Sequence, residues 1–190
     1  VHMRSFAAAP VATAPGPRVS FQVRMAAAAA DTVREFASRA GLAAGGNAAV
    51  RIGLLPADWK AETLEQSKSL RILSNESVDS PQWQEVSLQA GGKQQNEYDL
   101  RLRLMPRGAG NGSMWVRVRP ELTLPQRGGM SSRRFSADLN VAAGQSLLVA
   151  GFEQDASAPA LIEKLFHSPA PHMAGSELLL VVTPRFAAAR

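Results

Sequence analysis

The sequence predicts an α+β, β-rich fold: a largely antiparallel sheet with two early helices packed on it. Three observations carry this expectation. Segments with helical periodicity come before Leu70, and after it short segments alternate apolar and polar residues. There is no β-α-β alternation and no repeat at a fixed period, which argues against a doubly wound parallel sheet and a solenoid. Two late segments, SLLVAGF and ELLLVVTPRF, are continuously apolar, as strands covered on both faces are. A chain of 190 residues reads as one domain over 18–186, with an Ala/Pro-rich linker or arm at 1–17 and a short tail at 187–190.

The elements follow in order. In RVSFQVRM, Val19, Phe21, Val23 and Met25 share one face and Arg18, Ser20, Gln22 and Arg24 the other, which is a strand. In AAAAADTVREFASRAG, Val33, Phe36, Ala37 and Ala40 recur at helical spacing, and Gly41 follows as a helix-ending glycine. AAVRIGLL reads as a short strand. ADWKAETLEQSKS reads as a second helix of about three turns, with Asp58 as N-cap. Then come the strands SLRILS and WQEVSLQA. YDLRLRLMP and MWVRVRPEL both alternate and are joined by the glycine-rich RGAGNGS, a hairpin with a longer connection. RRFSADLNV alternates, AAGQ turns, and SLLVAGF follows. SAPALIEKLFHSP carries one helical turn before the last strand, ELLLVVTPRF. Pro106, Pro120 and Pro184 are expected at strand ends, where a missing N–H costs least.

Composition narrows the function classes. The chain has no cysteine, which excludes disulfides and thiolate metal sites. Its net charge of +5 suits an anionic partner or a soluble protein with spare arginines. His167 and His172 stand five apart in HSPAPH, where two prolines prevent a shared helix face, so no metal site is expected. GAGNG lies between strands without a lysine partner, so it is not a phosphate cradle. No nucleophile, base and orienting group stand out as a set, and no catalytic residue or cofactor is expected.

The arginines are more informative. Arg101 and Arg103 share one strand face, and Arg117 and Arg119 share one face of the next. Two readings are open. The stripe is a solvated outer face relieved by Asp99, Glu121 and Asp138, or it is a surface built to meet an acidic partner, including a neighbouring copy of the chain. Nucleic acid fits poorly, because no aromatic residues interleave with the arginines as a stacking platform.

Taken in order, the late segments resemble the bacterial secretin family, the outer-membrane channels of secretion and pilus systems. RRFSADLNVAAGQSLLVAGF resembles that family's strand, DGQ turn and hydrophobic strand ending GGL, which places Arg133 and Arg134, Gly144 and Gln145, and Gly151 at motif positions. ELLLVVTPRF is similar to the closing ELVILITPRI, with Thr183, Pro184 and Arg185 at its TPR. The Tyr98–Thr123 segment is similar to the family's GLTLKVTPRI hairpin, and LEQSKSLRILSNESV to its passage ending KILSNPRV. SAPALIEKLFHSP lacks the Pro-Leu-Gly and Ile-Pro elements of the corresponding family stretch, and little room remains between Ser74 and Tyr98 for gate hairpins.

The resemblance implies a reduced secretin domain in the bacterial envelope, periplasmic or at the outer membrane, where it reaches the membrane through assembly. It further implies a homo-oligomeric ring working with other secretion or pilus proteins. The alternative it leaves is a monomeric adaptor that keeps the fold and binds an acidic protein through the arginine face. Strands 98–105 and 114–122 are expected to lie between subunits, and copies of the chain are expected to help cover the apolar strands. Residues 156–171 are expected to form an exposed or subunit-contacting loop, packing Leu161, Leu165 and Phe166 inward.

Overall fold

The computed structural model describes residues 18–42, 50–92, 97–152, 158–166 and 176–186. The arm, the tail, His167 and His172 lie outside the described residues. The strands are β1 (Val19–Ala29), β2 (Arg51–Leu54), β3 (Leu70–Ser80), β4 (Val86–Gly91), β5 (Asp99–Gly110), β6 (Ser113–Gln126), β7 (Gly129–Arg134), β8 (Ala137–Ala142), β9 (Leu147–Ala150) and β10 (Ser176–Phe186). The helices are α1 (Ala30–Arg39), α2 (Thr63–Gln66) and α3 (Ala158–Phe166). The fold is α+β and β-rich, and every strand pair among the described residues is antiparallel.

The strands form two sheets rather than the one expected. One has the order β2-β9-β10-β1-β3; the other has the order β4-β5-β6, with both β7 and β8 on the far side of β6. Alternation explains how they stack. Val19, Phe21 and Val23 of β1, Leu147 and Val149 of β9, and Leu178, Leu180 and Val182 of β10 meet Leu100, Leu102 and Leu104 of β5 and Val116 and Val118 of β6 in one core. The opposite face of the first sheet buries Ala26, Ala28, Leu148, Ala150, Leu179 and Val181 with Val33 of α1, Trp59 and Leu64. The described residues therefore form three layers: α1 with α2, the first sheet, and the second sheet. β9 and β10 read as continuously apolar because they lie in the middle layer. Their cover comes from this chain itself and not from neighbouring copies.

Local details differ from the sequence pattern for physical reasons. The alanines before α1 extend β1 to Ala29, because small side chains fit beneath the helix layer. At the end of α1, Gly41 has φ +69°, its N–H donates to the Ser38 carbonyl, and the Leu42 N–H donates to the Ala37 carbonyl, a Schellman ending. α2 is only four residues long and begins after Asp58, which caps nothing there; Trp59 instead meets the Phe36 ring edge-on at 5.7 Å. Trp83 belongs to a 3₁₀ turn, Pro81–Trp83, and not to β4.

The β5–β6 connection is tight, not long. Both strands run on to a two-residue turn, Asn111–Gly112, with φ of 54° and 75°, the primed geometry that matches strand twist. Arg107 is absorbed as a bulge between Pro106 and Gly108. The prolines lie inside strands, not at their ends. Pro106 and Pro184 lie beyond the ends of the neighbouring β4 and β9, while Pro120 faces the gap between β7 and β8. Its carbonyl accepts from the Phe135 N–H, so its nitrogen points to the same gap, where no strand partner waits. RRFSADLNV is consequently two strands, broken at Phe135–Ser136.

α3 is a nine-residue helix, not a loop with a single turn. Leu161, Ile162 and Leu165 are buried, Phe166 packs against the same core, and Glu163 and Lys164 are exposed. It lies against β10 and β4. Among the described residues no helix is long and apolar enough to cross a membrane.

Candidate partner-binding face

Because Leu100, Leu102 and Leu104 point inward, Arg101 and Arg103 of β5 must point outward. The same parity sends Arg117 and Arg119 of β6 to that surface. The four arginines of the expected stripe therefore share the outer face of the second sheet. Register sets their neighbours: Arg103 stands directly opposite Arg119, Arg101 opposite Glu121, Glu121 opposite Arg134, and Arg117 opposite Asp138.

Most of these charges are met within the face. Arg117 holds Asp138 through two bonds, Nε to Oδ1 at 2.8 Å and Nη2 to Oδ2 at 3.0 Å, and Arg107 stands 3.5 Å from the same carboxylate. Arg119 pairs with Glu85, Arg101 lies 3.6 Å from Asp99, and Arg134 Nε lies 2.9 Å from Glu121 Oε1. The Arg117 hydrogen bond, then the charges of Arg117 and Arg107, hold the Asp138 carboxyl below its usual range despite partial desolvation, and the Asp138 bond raises Arg117 in turn. At Glu121 desolvation favours the neutral acid. Hydrogen bonds from Arg134 and Ser132 and the charges of Arg134 and Arg103 outweigh it, so that carboxyl is also lowered.

Arg103 differs from its neighbours. Among the described residues no carboxylate lies within ion-pair distance of it, and the residue opposite it is another arginine. The break between β7 and β8 opens a groove of about 290 Å³ there, lined by Arg103, Arg119, Pro120, Glu121, Arg134, Phe135 and Ser136. Arg119 Nε is buried without a hydrogen-bond partner at this place. The sequence pattern did not reveal the groove, because the strand break depends on how β6 pairs at Pro120. Glu85 and Arg107 were missed for related reasons: a turn and a bulge bring them onto the face.

The remaining motif positions lie elsewhere and are structural in their geometry. Gly144 has φ +77°, which turns the chain between β8 and β9. Gln145 then latches that turn: its Oε1 accepts from the Ala142 N–H at 3.0 Å and its Nε2 donates to the Leu55 carbonyl at 2.8 Å. Gly151 follows β9 with φ +94°. Thr183 shares a buried 2.7 Å hydrogen bond with Ser146, Pro184 stands opposite Phe21, and exposed Arg185 lies 4.0 Å from Glu62. Arg133 and Arg134 diverge, since Arg133 stands opposite inward-facing Leu122. A further polar cluster, unmarked by the sequence pattern, joins buried Arg24 to Glu65 at 3.2 Å, with Asn75 bridging from Glu65 to Gln22. No group of three or more metal-ligating side chains is found among the described residues.

No family model matches the chain, and no curated protein matches it. Among solved structures, the chain is similar to the type IV competence pilus secretin PilQ of V. cholerae, at 12% identity and TM-score 0.40, over 93% of this chain and 62% of that one. It is similar to a chain of the Klebsiella pneumoniae type II secretion system outer membrane complex of PulD, PulS and the PulC HR domain, at 11% identity and TM-score 0.40, over 92% of this chain and 41% of that one. It is also similar to the InvG secretin domain β-barrel of the Salmonella SPI-1 injectisome, at 11% identity and TM-score 0.33, over 92% of this chain and 63% of that one. The chain thus spans less than two thirds of each of these.

Proposed function

We propose that this chain is a secretin-type wall domain, a structural and non-enzymatic subunit that assembles side by side with copies of itself into a ring. The ring belongs to a secretion or pilus machine of the bacterial envelope, in the periplasm or at the outer membrane, where other envelope proteins of the machine are its partners. The observation that carries this reading is where the sheets end. β3 lies against β4 on one side of the molecule and β2 against β8 on the other. Both sheets thus stop together at each side, and each stops in strands paired on one side only among the described residues. Such a subunit offers two different, complementary sides, the head-to-tail arrangement that closes into rings. The ordered motifs of the sequence support the same reading. The expectation that strands 98–105 and 114–122 lie between subunits is corrected: β6 is paired on both sides, and so is β5 over Asp99–Leu104. They form the wall between the edges and present Arg101, Arg103, Arg117 and Arg119 to solvent or lumen.

Light scattering and electron microscopy at micromolar concentration test the proposal. Ring-sized multiples of 20.2 kDa are expected. A strict monomer, with and without detergent, would remove ring-building. That result would leave the second reading, a monomeric adaptor that binds an acidic protein, which the cation Arg103 favours because it has no ion pair within its own face.

A further inference from the structure

We propose that the groove at the β7–β8 break is a carboxylate-binding subsite, and that its ligand is an acidic side chain on an extended peptide segment of a partner protein. The proposal rests on the partner-binding reading of the arginine face, which it narrows from a strand face to one groove, and it does not depend on ring assembly. Charge selects the ligand class. Three guanidinium groups, Arg103, Arg119 and Arg134, meet at the groove, and two carboxylates answer them, Glu121 from within and Glu85 from beside it. One positive charge is left over, which a carboxylate balances; a phosphate dianion would overfill the site and stand against Glu121. Geometry selects the same class. Among the described residues Arg103 has no carboxylate within ion-pair distance, its charge acting on Glu121 only from farther away, and planar guanidinium groups match the fork of a carboxylate. Phe135 and Pro120 add apolar wall for the methylene stem that carries such a carboxylate. The fold also tolerates a repulsive contact here, since Arg103 and Arg119 are directly opposed like charges on neighbouring strands.

The test is fluorescence anisotropy at low salt with a labelled peptide of alternating glycine and glutamate, against the same peptide with glutamine. The glutamate peptide should bind and the glutamine peptide should not. Arg103→Gln should weaken binding by about tenfold or more, the loss of one charged hydrogen bond. Arg117→Gln, outside the groove, should change it by less than about twofold. Arg103→Gln should also melt at or above the wild-type temperature, because it relieves the opposed pair; if it fails to fold, Arg134→Gln takes its place. Equal losses in the Arg103 and Arg117 variants would overturn the groove while leaving a diffuse acidic-partner face. No binding by the wild type would overturn both. Tighter binding of inorganic phosphate than of the peptide, or binding only to phosphatidylglycerol vesicles, would overturn the carboxylate assignment.

Discussion

Gln145 shows what one side chain can do for a fold built from short turns. The β8–β9 turn must carry the chain from the second sheet to the first, and it leaves the Ala142 N–H and the Leu55 carbonyl without strand partners. Gln145 answers both, accepting from one and donating to the other. The adjacent Leu55 N–H donates to the Ser146 carbonyl at 2.9 Å, so the turn is tied to the end of β2. Gln145→Ala should therefore destabilise the protein by about 1–3 kcal/mol, the cost of unpaired polar groups, with no change in the peptide binding proposed for the arginine face. Urea denaturation measures the first effect; an unchanged midpoint would show the latch to be idle. At this scale the sequence was partly legible. AGQ marks a turn by its glycine, and the secretin resemblance marks Gln145, but the carbonyl it reaches lies ninety positions away. Arg103 illustrates the opposite case. Its outward direction follows from alternation alone, whereas the absence of a carboxylate within ion-pair distance, among the described residues, depends on how β6 and its neighbours place theirs.

Elements were legible where one face of a strand is wet and less so where context overrides the pattern. β5 and β6 alternate along their whole length, and their hairpin was readable; its turn was tighter than RGAGNGS suggests because a bulge at Arg107 takes up the extra residue. The Ala run before α1 fits a helix by propensity, yet it continues β1 because only small side chains fit under the helix layer. Trp59 breaks the expected second helix by packing on Phe36. α3 has the opposite history: its prolines argued for a loop, but Pro159 lies in the first helical turn, where its missing N–H has no intrahelical acceptor to lose. Leu161 and Ile162 of this helix are fully buried. Leu161→Ala should cost about 2–5 kcal/mol in denaturant unfolding, as cavities in packed cores do. Lys164→Ala, on the exposed side, should stay within about 0.5 kcal/mol. Equal effects at the two positions would mean that α3 does not pack as described.

The whole molecule was the least legible scale. The order of strand and helix patterns predicts an α+β fold, but nothing in the sequence divides the ten strands of the described residues between two sheets; that division depends on β7 and β8 sharing one edge of β6 and on β9 crossing to the first sheet. The division also explains why β9 and β10 are apolar without a second subunit, and it moves the proposed assembly contacts from the arginine strands to the edges. In the proposed ring, β3 and β4 on one side, and β2 and β8 on the other, are completed by neighbouring copies. Amide hydrogen exchange by peptide, followed from high dilution to high concentration, tests this strand by strand. The edge-strand amides of β4 and β8 should gain protection as concentration rises, while β1 and β6, already paired on both sides, should not change. Exchange at β4 and β8 that is independent of concentration, with or without detergent, would contradict the claim.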